Sequence, residues 1–277
     1  MKLAMINDKI VPYEQLEPAY LDRGLYFGDG VYEVLRSYNG KIFALDEHLE
    51  RFQRSLDGIE ITGIKIDQIR QKIVQAFEKA GFANAKIYFH ITRGSAPRNH
   101  TWSEDIKPNF FLTIEGITDH PEDLEKGIWV CTYPDQRWQR CDIKSLNLLA
   151  NVMARQFAAK KGCEEAILVN EDGLITEGAA SAFFGVFGNT LQTSPLADNI
   201  LPSVSRKYVI KAAMNLKMTL LEQNMTVDAA KHADELFTAV TTKDIIAVTK
   251  FDEVTIGNGK IGGYTRKLKE QFQTFTK

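Results

Sequence analysis

Four groups of residues in this chain could do chemistry together. Lys144, in "CDIKSLNLLANVMARQ", stands outside the apolar positions that follow it. A lysine whose pKa is lowered by burial or a neighbouring cation becomes a nucleophile, used most often to form an imine with a carbonyl. Glu177 ends the apolar run of "GLITEGAAS", and small residues after it leave room for close approach. A carboxylate placed there can keep a cofactor nitrogen protonated. Ser203, Val204 and Ser205 form the first turn after Pro202, where unpaired N–H groups and the helix dipole favour an anion such as phosphate. Arg51 and the Thr241-Thr242 pair offer a guanidinium and hydroxyls for the same task. Arg98 and His100, two residues apart in "TRGSAPRNH", could clamp a carboxylate, joined by the Tyr32 phenol of "LYFGDGVYEV".

Each feature also has an ordinary reading. One lysine among 34 basic residues is usually surface charge, and strand-end carboxylates and loop arginines are usually solvated. Taken together, an imine-forming amine, a cofactor-directed carboxylate, a phosphate cradle and a carboxylate clamp are what a pyridoxal-phosphate enzyme acting on amino acids needs. Two glycine-rich stretches are decoys. "GNGKIG" at 257–262 fits G-x-G-x-x-G, but neither a βαβ unit nor the required acidic residue follows it, and "GDGVYEV" at Gly28 lacks a third glycine.

The elements that must position these residues follow from periodicity. Leu146, Leu149, Met153 and Phe157 share a helical stripe, with Ala150 and Ala154 beside them and Ser145 as the expected N-cap, so Lys144 should lie just ahead of a packed helix. Asp46 should cap a helix burying Leu49, Phe52 and Leu56, with Arg51 off that face and free to reach another surface. A second helix runs from about Asp67 to Ala80, stopped by Gly81. Short strands flank Asn7-Asp8, Asn39-Gly40 marks a hairpin, and "AKIYFHIT" alternates as a half-buried strand. "GIWVCTY", "EAILVN", "GLIT", "SAFFGVF", "ELFTAV" and "DIIAVTK" read as strands, and "SVSRKYVIKAAMNL" and "YTRKLKEQFQTF" as helices. Strands interleaved with helices indicate an α/β (α+β) protein of two domains, 1–118 and 127–277. The acidic, Pro-containing stretch 119–126 is the linker.

Bulk composition narrows the function classes. With 44% hydrophobic and 25% charged residues this is an ordinary globular chain, and a net charge of -2 leaves no footprint for nucleic acid or an anionic membrane. No apolar run has the length of a membrane span. Three cysteines without metal-type spacing suggest buried free thiols, a cytoplasmic location and no metal site.

The sequence resembles the branched-chain-type, class IV pyridoxal-phosphate aminotransferases over essentially its whole length. "DRGLYFGDGVYEV", "YFHITRGSAPRNH", "RWQRCDIKSLNLL", "ITEG" and "DELFTAVTT" carry the resemblance. The "TRG-x-x-PR-x-H" loop points to the D-amino acid subgroup rather than the branched-chain L-amino acid enzymes. The resemblance implies that Lys144 forms the Schiff base and shuttles the substrate proton, and that Glu177 pairs with the pyridine nitrogen. It implies that Arg51, Val204, Ser205 and Thr241 hold the phosphate and that Leu201 packs on the ring. It also implies that Tyr32, Arg98 and His100 grip the substrate carboxylate. The last two would come from the partner in a homodimer, with the cofactor at the domain interface. The expected reaction is transfer between a D-amino acid (D-alanine, D-glutamate) and a 2-oxo acid (2-oxoglutarate, pyruvate). Its alternatives are branched-chain L-amino acid or (R)-amine transamination and, further off, aminodeoxychorismate lysis. One departure stands out: Ala179, Ala180 and Ala182 occupy positions where the subgroup usually carries serines and an asparagine.

Overall fold

A computed structural model describes residues 2–118, 126–196 and 199–277. The 119–126 linker lies almost wholly outside the described residues. Strands from before it form a four-stranded antiparallel sheet, in the order Lys41–Ile42, Gly30–Tyr38, Ala85–Thr92, Asn109–Gly116. A small hairpin, Leu3–Ile6 with Lys9–Pro12, precedes it. Strands from after it form a ten-stranded mixed sheet centred on Glu235–Val240, Asp244–Phe251 and Ile128–Pro134. Among the described residues no helix is long and apolar enough to cross a membrane.

Alternation explains the first sheet. Val31, Leu35, Ile87, Phe89 and Ile91 point to one face and are fully buried against Leu49, Phe52, Leu56, Ile69, Ile73 and Phe77 of the helices Leu45–Gly58 and Ile66–Ala80. Asn39 and Gly40 both adopt positive φ, as a two-residue hairpin turn demands. The opposite face, carrying Tyr32, Val34 and Lys86, borders a cavity.

Three sequence expectations require correction here. Asp46 does not cap its helix: that helix starts at Leu45 after Ala44, and no side chain caps it. Arg51 does reach another surface, the cavity wall, but not as a free side chain: it is 3% exposed and tied to Glu33 and His48. Nor is Lys144 the prelude to a helix capped by Ser145. The helix starts at Leu149 without a side-chain cap, and Leu149, Val152 and Met153 are 71%, 57% and 53% exposed. Its buried face is Ala154 and Ala158, packed with Cys131, Ala166 and Leu168, with Phe157 partly buried against the same cluster.

The lysine segment is instead irregular and docks on the first sheet through a single bridge. Ser145 bridges Val31, the Tyr32 amide donates to the Lys144 carbonyl (3.0 Å) and the Leu146 amide to the Gly30 carbonyl (2.9 Å). A Cβ at Gly30 would meet the Ile91 carbonyl at 2.6 Å and Leu146 at 2.8 Å. The glycines of "GDGVYEV" therefore serve close backbone approach, which accounts for a pattern that imitates a nucleotide loop. The other decoy is accounted for as well. After "GNGKIG" the helix Gly263–Gln273 begins, and the Glu235 carboxylate already takes the amides of Tyr264 (2.9 Å) and Thr265 (2.7 Å), filling the anion position.

Candidate active site

Between the two sheets lies a cavity of about 700 Å³. Tyr32, Arg51, Lys144, Glu177, Leu201 and Thr241 all line it. Lys144 reaches it because its backbone is pinned on both sides: its amide donates to Ser55 Oγ (3.1 Å) and its carbonyl accepts from Tyr32. Its Nζ lies 3.2 Å from the Tyr32 hydroxyl. The strand Leu174–Gly178 delivers Glu177, 5% exposed, to the cavity wall.

Glu177 is held by Arg137, whose Nη1 donates to Oε1, and by the Leu201 amide at 3.1 Å. Burial pushes this carboxyl above its usual range, and the pull of Arg137 and Lys144 does not cancel the effect. Arg137 divides its donors. Nε and Nη2 go to Asp135 at 2.9 and 2.7 Å, leaving Nη1 for Glu177. Nothing in the local pattern of "YPDQRWQRC" singles out Arg137, and sequence reasoning missed it.

Arg51 donates Nε and Nη2 to the two carboxylate oxygens of Glu33 at 2.7 Å each, and Nη1 to the Pro202 carbonyl at 3.1 Å. The last bond sets the guanidinium beside the helix Val204–Asn215, whose N-cap Ser203 accepts from the Arg206 amide. Val204 and Ser205 are buried in the first turn, where no carbonyl within the helix reaches their amides. Glu33 was also missed, although a signal existed. It shares the buried phase of its strand with Val31 and Leu35, and a carboxylate there requires a cation. Burial alone would raise its pKa, but Arg51 and His48 outweigh burial and hold it at about 2.

Arg98 and His100 lie in an exposed loop and line no part of this cavity. Arg98 sits over the Phe27 ring, and His100 borders a second cavity of about 420 Å³ with Arg23, Arg93 and Trp102. Cys141 lines the main cavity, but burial raises its thiol to about 11, so it is no nucleophile at neutral pH. Among the described residues no group of His, Cys, Asp and Glu could hold a metal ion.

The family model "Amino-transferase class IV" matches residues 30–251, the span holding the four-stranded sheet, most of the ten-stranded one and the cavity-lining residues named above. The chain belongs to the class IV aminotransferases. The D-alanine aminotransferase of Staphylococcus epidermidis is 35% identical over 99% of this chain and 98% of its own. That of Staphylococcus aureus is 36% identical over the same shares, and that of Bacillus licheniformis 34% over 97% and 95%. In fold the chain is similar to the branched-chain amino acid aminotransferase of Escherichia coli, with a TM-score of 0.87, 23% identity and coverage of 97% and 92%. It is similar also to a putative 4-amino-4-deoxychorismate lyase of Legionella pneumophila, with a TM-score of 0.82, 21% identity and 98% of each chain covered.

Class IV aminotransferases work with pyridoxal phosphate, and this aminotransferase has residues that fit it. An amine, a buried carboxylate whose arginine is shared with Asp135 and a helix N-terminus beside an arginine meet in one cavity. Ala179, Ala180 and Ala182 line the same cavity. Their methyl groups leave space and offer no hydrogen bonds.

Proposed function

We propose that this aminotransferase acts on D-amino acids, moving the amino group of D-alanine to 2-oxoglutarate to give pyruvate and D-glutamate. One observation carries the reading: the Lys144 amine and the Glu177–Arg137 pair share a cavity sized for a cofactor and a small acid. Relatives named D-alanine aminotransferases, similar over nearly the whole chain, support the substrate.

Lys144 would hold the aldehyde carbon of the cofactor, and Glu177 the ring nitrogen. Arg51, Ser205 and Thr241 would hold the phosphate with the Val204 amide, while Leu201 packs on one ring face. When bound, pyridoxal phosphate supplies the carbonyl and an electron-poor ring that draws charge from the substrate Cα. As a neutral amine, Lys144 would remove the substrate Cα proton as general base and return it to the carbon on the other side of the amino nitrogen. Tyr32, 3.2 Å from Nζ, keeps the amine on one side of the site. Since one lysine serves one face, the position of the substrate carboxylate decides which enantiomer presents its hydrogen.

That carboxylate is gripped by Tyr32 together with the partner subunit's Arg98 and the partner subunit's His100 in a homodimer. Two observations support this arrangement: the loop is exposed and away from its own cavity, and the helix face Leu149, Val152, Met153 is apolar and open. The chain divides into domains 1–118 and 127–277 around the linker, supported by each sheet drawing its strands from one side only. A cytoplasmic location is supported by three unpaired cysteines.

Borohydride reduction of the holoenzyme followed by peptide mapping should place the label on Lys144; a label elsewhere overturns the assignment. A chiral assay should find D-glutamate from D-alanine and 2-oxoglutarate. Exclusive turnover of L-leucine or L-valine, or pyruvate release from aminodeoxychorismate without an amino acceptor, would replace the reading.

A further inference from the structure

Among the described residues, five basic side chains line the main cavity, Arg51, Lys86, Arg137, Lys144 and Arg155, and Glu177 is the single acidic one. Four of the five cations are committed. Arg51 is locked to Glu33, and Arg137 to Asp135 and Glu177. Arg155 pairs with buried Glu165 at 3.0 Å and also donates to the Glu164 carbonyl, while Lys144 is the reactive amine. Lys86 differs. Its partner is Glu115 at 2.9 Å, an outer ion pair with side chains 36% and 62% exposed. Such pairs are weak and exchange readily with solvent, and an ammonium bound to one carboxylate keeps further N–H donors.

The sheet register places Lys86 in relation to the substrate. Tyr32 stands opposite His90, Val34 opposite Tyr88 and Arg36 opposite Lys86, so these side chains share the cavity-facing side. Lys86 is four residues along the strand from the position facing Tyr32, about 13 Å. A substrate whose Cα sits at the Lys144 amine and whose side chain runs past Val34 sends a second carboxylate toward Lys86. The two methylenes of a five-carbon diacid and the four of the lysine stem span the gap between them. Arg36, across from Lys86, is occupied by the Thr242 carbonyl at 2.8 Å and by Asp244, leaving Lys86 to meet the incoming charge.

We propose that Lys86 is the specificity-determining residue for five-carbon dicarboxylic substrates, binding their distal carboxylate in exchange for Glu115. The inference rests on the D-amino acid transamination proposed above and adds the residue that reads the side chain. Acceptors are compared with D-alanine as donor: 2-oxoglutarate, and 2-oxopentanoate, which has the same chain without the second carboxylate. Lys86→Met should raise KM for 2-oxoglutarate about tenfold with kcat unchanged, as loss of a charged hydrogen bond does, and leave 2-oxopentanoate unaffected. Lys86→Arg should restore the wild-type KM. Glu115→Gln, which removes the competing anion, should lower KM for 2-oxoglutarate alone.

An equal rise for both acceptors, or no rise for 2-oxoglutarate, overturns the proposal. A binding measurement separates its failure from that of the reaction itself. Glutarate and pentanoate, neither of which can be transaminated, are titrated into the holoenzyme and followed by its visible absorbance. A tenfold weaker glutarate complex in Lys86→Met, with pentanoate unchanged, upholds the role of Lys86 even if D-alanine is not turned over. That last result would overturn the D-amino acid reading alone. Glutarate binding that is indifferent to Lys86→Met overturns the inference whatever the reaction is.

Discussion

Glu33 meets Arg51 through two parallel bonds of 2.7 Å and takes a third from His48 Nδ1 at 2.7 Å, whereas Glu177 receives one donor from an arginine that gives its other donors to Asp135. Both carboxylates are buried, Glu177 on the cavity wall and Glu33 on the helix-covered face of its strand, and their states diverge: Glu33 is held at about 2 and Glu177 is pushed above its ordinary value. The difference lies in how much positive charge each is granted. His48 is itself kept neutral by burial, which Glu33 does not overcome, so it supplies a hydrogen bond while Arg51 supplies the charge. Glu33 with Arg51 is a closed unit that fixes a guanidinium next to a helix N-terminus. Glu177 shares its arginine with Asp135 and burial keeps its pKa raised, and a protonated pyridine nitrogen beside it would favour its charged form.

The largest effect should come from opening the closed unit. Glu33→Ala leaves the Arg51 charge buried without a carboxylate and should cost about 3–5 kcal/mol in urea unfolding. A loss under 1 kcal/mol would mean that Arg51 finds water or another partner and that the two pairs are more alike than their geometry indicates. Glu177→Gln tests the other member. It should cut kcat about 10²-fold, as loss of one preorganised electrostatic partner does. The melting temperature should not fall, because Arg137 keeps Asp135. A variant with unchanged kcat would remove Glu177 from the cofactor site.

The smallest effect is a pair of opposed pH slopes in the unliganded protein. Glu33 has a folded pKa below its unfolded value of 4.5, so its contribution is complete above that value and is lost as pH falls toward about 2. Glu177 has a raised folded pKa, so its ionisation costs stability as pH rises through the carboxylate range. Denaturation of Glu33→Gln and Glu177→Gln against the parent, at several pH values between about 3 and 7, should give difference curves of opposite sign. Parallel curves would contradict the contrast.

Much of the secondary structure was legible because it is local. The alternation of Ile87, Phe89 and Ile91, the Asn39-Gly40 turn and the Leu49/Phe52/Leu56 face each appear as read. Failures came where a neighbour overrode the local pattern. The Leu149/Met153 stripe suggested a buried face, but the strand Glu165–Val169 accepts the alanine face instead. Arg51 looked free because its Glu33 partner is eighteen residues upstream, on another element. Arg137 carries no periodic signal at all, and its importance arises only from where Asp135 and Glu177 meet it.

By itself the sequence determined which chemistry is available: an amine in "CDIKSLNLL", a carboxylate in "LITEG", a Pro-led helix start for an anion, and glycines wherever backbones must touch. Those are properties of residue type and short-range spacing. Only the tertiary structure decided that the lysine segment is pinned to Tyr32 and Ser55, and that Glu177 shares its arginine with Asp135. It alone left Lys86 with an exposed counterion among the cavity's cations. The physical reason is that a charge's state depends on what the whole fold places around it, and those partners come from distant points along the chain.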